Sequence, residues 1–145
     1  MGNDQPNIQY STPLFMVSDI EASLNFYVDG LGFEIRNTWT PRGKIEWCWL
    51  QREGGSIMLQ EARVTAENPY LSGNEPGAGV SIWFQCRDSL VLYHEFLDKG
   101  IKADEPFVGN GLWDLSVTDP DGYRIHFESQ TDVPEATMYS DWVKG

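Results

Sequence analysis

The sequence predicts an α+β fold of two tandem βαβββ modules forming a curved mixed sheet with a cleft, the helices lying on its outer face. Three observations lead there. Short apolar runs of strand length surround one helical pattern in each half; an aspartate follows the first strand of both halves; and glycines close both helices. One βαβββ unit leaves a face of a small sheet bare. Two copies cover the helical side and curve the other into a site for a ligand.

In the first half, residues 12–17, 32–39, 44–51 and 56–62 read as strands. Asp19 stands where a helix cap belongs, because a short carboxylate there accepts the unpaired N–H groups of the first turn. Ile20, Leu24, Tyr27 and Leu31 then recur on one helical face, giving a helix over residues 20–29 that the Gly30-Leu31-Gly32 segment stops. Residues 63–79 are polar, contain proline and glycine, and show no period, so they read as a connector.

The order then repeats. Residues 80–86 form a strand, Asp88 caps a helix running to about residue 98, Gly100 stops it, and residues 101–107, 111–118 and 123–128 supply three more strands. The stretch DPDGYRIHF carries Asp119, Pro120 and Gly122 at the positions a type I turn favours, so the last strand starts on a tight hairpin. Residues 130–145 are left as a tail of one domain spanning 1–145.

Side chains of a strand alternate between faces, which sorts the candidate site residues. Cys48 and Leu50, with Ile82, Phe84 and Cys86, belong to the core face. Ile45, Trp47 and Trp49 fall on the cleft face opposite Met58 and Gln60, as do Ser81, Trp83 and Gln85. Arg124, His126 and Glu128 share the more polar face of the last strand. His94, beside Glu95 in the second helix, reads as a surface or core-edge group.

A formal net charge of −12 over 145 residues argues against a nucleic-acid binder, which needs clustered Lys and Arg to displace counterions, and is compatible with a cationic ligand. No apolar run is long enough to span a bilayer. The opening MGNDQPNIQYS lacks the basic start and apolar centre of a signal peptide, so a cytoplasmic protein is expected. Cys48 and Cys86 sit in apolar runs, as reduced core thiols do. No glycine-rich phosphate loop, nucleophile elbow or zinc-spaced cysteine pair occurs.

The segments TPLFMVSDIEASLNFYVDGLGFEI, SIMLQEA, SIWFQCRDSLVLYHEFLDKGI and LSVTDPDGYRIHF resemble the vicinal oxygen chelate superfamily of glyoxalases, extradiol dioxygenases, fosfomycin-modifying enzymes and bleomycin resistance proteins. The resemblance runs over residues 12–129. It places the metal-ligand positions of the metal-dependent branches at Thr12, Met58, Ser81 and His126. Of these His126 alone suits a divalent ion well, since two neutral hydroxyls and a thioether are poor ligands for a hard or borderline cation. Glu61 and Glu128 lie near in sequence, but the register turns each away from, or beyond, a ligand position.

The bleomycin-resistance branch is the better match. Pro13, the tryptophan in SIWFQC and the histidine of DPxGxxxHF are similar to its pattern, Trp47 matches one ring-stacking position, and Trp113 matches the other if the loop shifts by two residues. The resemblance then implies no metal and no cofactor, a homodimer with first-strand exchange, and a ligand site of Trp47, Trp49, Met58, Gln60, Trp83, Trp113 and His126. The expected function is sequestration of an aromatic or cationic small molecule. A lyase, isomerase or dioxygenase of the same superfamily, with His126 as the catalytic group, and a regulatory module without a small ligand are the alternatives.

Overall fold

The computed structural model describes residues 4–62, 77 and 79–145. The first module contains β1 (Leu14–Val17), α1 (Ile20–Leu24), β2 (Glu34–Trp39), β3 (Trp47–Arg52) and β4 (Gly55–Glu61). The second contains β5 (Ser81–Gln85), α2 (Ser89–Asp98), β6 (Phe107–Gly109), β7 (Leu112–Thr118) and β8 (Arg124–Gln130), followed by α3 (Tyr139–Lys144). Each module forms a four-stranded sheet with the same plan, in the orders β1-β4-β3-β2 and β5-β8-β7-β6. In both, the first strand runs parallel to the last and the remaining pairs are antiparallel. The connector expected at residues 63–79 lies outside the described residues except for Gly77 and Gly79.

Local chemistry accounts for the boundaries. The Asp19 carboxylate accepts from the N–H groups of Glu21 and Ala22, and that of Asp88 from Leu90 and Val91. Gly32 and Gly100 adopt φ of +81° and +80°, the left-handed conformation that ends a helix cheaply only at glycine. The first helix departs from the expected regular α-helix, because after Leu24 it widens into a π-helical stretch, Asn25–Gly30. The strand expected at 101–107 is also largely missing. Ala103 makes one isolated bridge to Val117, and regular pairing begins at Phe107, just after Pro106, which has no N–H to give a ladder.

The hydrogen bonding of each sheet stays within its module, and the modules meet through their core faces. One cluster of buried residues draws on both, including Phe15, Tyr27, Leu50 and Leu59 from the first with Phe96, Leu115, Ile125 and Phe127 from the second. The Phe15 ring stacks on Tyr123 at 4.1 Å, Phe33 packs on Phe84 at 6.0 Å, and a Cβ added to Gly55 would meet Phe84 at 2.9 Å. Polar ties cross the same seam. The Tyr27 hydroxyl donates to Asp119 at 2.8 Å, and Arg52 grips the Glu95 carboxylate through both terminal nitrogens at 2.6 and 3.0 Å.

The Arg52 bond holds the Glu95 carboxyl below the usual carboxylate range. A depressed folded-state pKa contributes stability above the unfolded value of about 4.3 that is lost as pH falls through the folded one. Glu95→Gln is therefore expected to melt below wild type at pH 7 and to converge with it below about pH 4. A melting difference that is the same at pH 7 and pH 3 would show that the tie acts through packing alone.

Candidate functional site

Because the core faces meet, the shared core lies between the two remaining sheet faces. Among the described residues, no cleft is enclosed between those two faces. A pocket of about 400 Å³ sits instead at the module seam, where Phe33, Arg52, Gly55, Phe84, Leu92 and Glu95 meet, with Trp83 and Gln85 also in its lining.

The open face of the first sheet is apolar. Strand register sets Leu14, Met58, Trp49 and Asn37 in one row and Met16, Gln60, Trp47 and Trp39 in the next. Their alternates Phe15, Cys48, Leu50, Ile57 and Leu59 are in the core, which leaves these two rows for the other face. Trp39 is 48% exposed, and the buried Nε1–H of Trp49 meets no acceptor among the described residues. The Gln60 amide is spent on backbone, donating to the carbonyls of Glu46 and Glu61.

The open face of the second sheet is polar and centres on His126. Register places Trp83 and Ser116 on either side of it. The Trp83 ring lies parallel to the imidazole at 3.7 Å and 5°, while its Nε1–H donates to Ser81 Oγ at 2.8 Å. His126 Nδ1 is 2.9 Å from the Asp114 carboxylate, and the two side chains are 12% and 11% exposed. Gln85 donates to Glu128 beside them.

Trp113 requires correction. It is 4% exposed and lies on the opposite face of β7 with Leu115 and Val117, its ring 5.5 Å from Trp142 and 6.2 Å from Tyr139. The tail folds back as α3 over this tryptophan, tied by Tyr139 to His94 Nε2 at 2.8 Å and by Ser140 N–H to Glu105. Period two in LWDLSVT already places Asp114 and Ser116 opposite Leu115, so the two-residue shift chose a core residue over its polar neighbour. Asp114 is thus the residue the sequence reading missed, and alternation was the signal for it. Trp39, likewise unassigned, pairs directly with Trp47.

The four metal-ligand positions are occupied by groups already engaged with protein. Thr12 Oγ1 is 2.9 Å from Ser56 Oγ, Ser81 accepts from Trp83, His126 binds Asp114, and Met58 packs in the row of Trp49. The pairs Thr12/Met58 and Ser81/His126 also belong to different sheets. This donor set does not fit a borderline divalent ion. Glu61 points to the helical side, where it accepts from Ile20 N–H and pairs with Lys44. Glu128 shares the open face with His126 but sits one residue pair further along, against Asp114. Among the described residues no three His, Cys, Asp or Glu side chains converge as a metal site. Burial pushes the Cys48 thiol up to about 11 and raises that of Cys86, so both are poor thiolates.

The family model of the Glyoxalase/Bleomycin resistance protein/Dioxygenase superfamily matches residues 9–127, and the chain belongs to that superfamily. No sequence among curated proteins matches it. Among solved structures, it is similar to TnmS3, an antibiotic binding protein from Streptomyces sp. CB03234, with 20% identity, a TM-score of 0.65, and coverage of 88% of this chain and 100% of that one. It is also similar to TioX from Micromonospora sp. ML1, at 16% identity and TM-score 0.63 over 87% and 99% of the two chains. A glyoxalase/bleomycin resistance protein/dioxygenase from Nocardioides aligns at 18% identity and TM-score 0.66 over 92% of this chain and 89% of the other. At these identities the likeness is one of fold. No helix among the described residues is long and apolar enough to cross a membrane.

Proposed function

We propose that this chain is a metal-independent small-molecule binding protein that sequesters an aromatic or cationic ligand, and that a second copy completes its cleft. The observation that carries the reading is the open aromatic face of Trp39, Trp47, Trp49 and Met58 on one sheet, separated by the shared core from the Trp83–His126 face on the other. A homodimer that lays the first face of one copy against the second face of the other makes one two-sided cleft twice. The exposed Ile8 and Tyr10 ahead of β1 give first-strand exchange a segment to use. Flat cationic guests are held in such a cleft by stacking and cation–π contacts of about 0.5 to 2 kcal/mol each, aided by the acidic surface. That TnmS3 is an antibiotic binding protein on the same fold supports the assignment. The acidity opposes a nucleic-acid partner, and reduced Cys48 and Cys86 suit the cytoplasm.

Sedimentation combined with calorimetric titration of bleomycin tests this. The expected result is a dimer taking two bleomycin molecules and releasing them unchanged. A monomer that binds neither bleomycin nor any flat cation of a thermal-shift panel sinks the proposal. One observation favours a second reading: a carboxylate on Nδ1 is how a general base is oriented, which suits a metal-free lyase or isomerase acting through His126. Elemental analysis separates both from a metalloenzyme, since stoichiometric zinc, nickel, iron or manganese lost in His126→Ala would overturn them.

A further inference from the structure

Several hydrogen-bond donors on the open face of the second sheet are engaged by neighbouring side chains. Trp83 Nε1–H goes to Ser81 and the Gln85 amide to Glu128. The Arg124 guanidinium is shared between Asp104 at 3.1 Å and Ser116 Oγ at 3.0 Å, and the Ser116 hydroxyl donates to Asp104 at 3.0 Å. Acceptor capacity remains on the Gln85 carbonyl, the second carboxylate oxygens of Glu128 and Asp114, and one nitrogen of His126.

The tautomer of the neutral ring follows from Asp114. An ionised carboxylate can only accept, so the 2.9 Å contact puts the proton on Nδ1, and a neutral imidazole then keeps its lone pair on Nε2. Nε2 meets no partner among the described residues. The parallel Trp83 ring and the low exposure of both side chains restrict the imidazole to this orientation.

We infer that Asp114 is the positioning residue that keeps His126 Nε2 an acceptor, so that the site admits ligands presenting an N–H or O–H donor there: phenols, amides or protonated amines. This rests on the binding-protein reading above and narrows its ligand class. An ether or carbonyl in the same place faces a lone pair and loses the bond, which weakens binding roughly tenfold.

The test uses two flat bicycles that differ in the donor, 2-naphthol and 2-methoxynaphthalene, together with ¹⁵N spectra of the histidine rings in the full chain. Wild type is expected to show His126 in the Nδ1–H form and to bind 2-naphthol roughly tenfold more tightly. Asp114→Asn keeps the shape, but its amide donates to Nδ1 and moves the proton to Nε2, so the preference should vanish or reverse; the effect of such a swap is known from the aspartate of the serine-protease triad. His126→Phe keeps the stack on Trp83 and should bind the two bicycles alike. A wild-type Nε2–H form, equal affinities in wild type, binding of neither bicycle, or a preference that survives Asp114→Asn each overturns the inference. Bleomycin binding by the same protein is read separately, so a failed donor rule is distinguishable from a failed binding function.

Discussion

Tyr27→Ala is expected to lower the unfolding free energy by about 3 to 5 kcal/mol, the range for deleting a large aromatic from a packed core. Tyr27 is fully buried, edge-on to Phe26 at 5.0 Å and Phe33 at 6.2 Å, and within 6.5 Å of Phe15. Its hydroxyl reaches across the module seam to Asp119. Burial, with the Asp119 charge beside it, pushes that hydroxyl far above its ordinary pKa, so it remains a donor at any pH of interest. Burial also raises the Asp119 carboxyl, although Tyr27 O–H and the N–H groups of Tyr123 and Asp121 all donate to it. Tyr27→Phe isolates the bond from the packing and should cost about 1 to 3 kcal/mol. Chemical denaturation of the three proteins checks both numbers. A loss below 1 kcal/mol in Tyr27→Ala would mean that the two modules do not share a cooperative core.

The second large effect is on binding. Trp47→Ala and Trp83→Ala should each weaken bleomycin by about 2 kcal/mol, roughly 30-fold, as truncation of an aromatic hot spot does. Trp83 is 47% exposed with one ring face covered by His126, which leaves the other for a guest. Trp47 lies on the apolar face between Gln60 and Trp39. Trp113→Ala serves as the control, because that ring is sealed behind β7 by the tail. It should lower stability and leave the affinity of the folded protein unchanged. Unaltered affinity in both Trp47→Ala and Trp83→Ala would rule out the aromatic cleft.

Much of this architecture was legible in the chain. Asp19 and Asp88 cap the helices they were expected to cap, and the i to i+3 bond from Gly122 N–H to Asp119 O closes the turn expected at DPDG. These are interactions within a few residues, and short-range chemistry leaves its mark in short-range sequence. Alternation likewise put Cys48, Leu50, Phe84 and Ile82 on the core side and Trp47, Trp49 and Trp83 on the other. The same rule, applied without a loop shift, points to Asp114 in place of Trp113. The missing strand at 101–107 was marked by Pro106, a weaker signal than the apolar residues around it.

Sequence by itself determined the two βαβββ repeats, their caps and turns, and which face of most strands is apolar, since each depends on neighbours along the chain. Tertiary structure alone decided that the repeats meet through their core faces, that the tail covers Trp113, and that Asp114 and Trp83 close on His126. Those contacts join residues up to about a hundred positions apart, such as Tyr123 with Met16. Their formation depends on how two independently plausible sheets pack, a choice that no local period records.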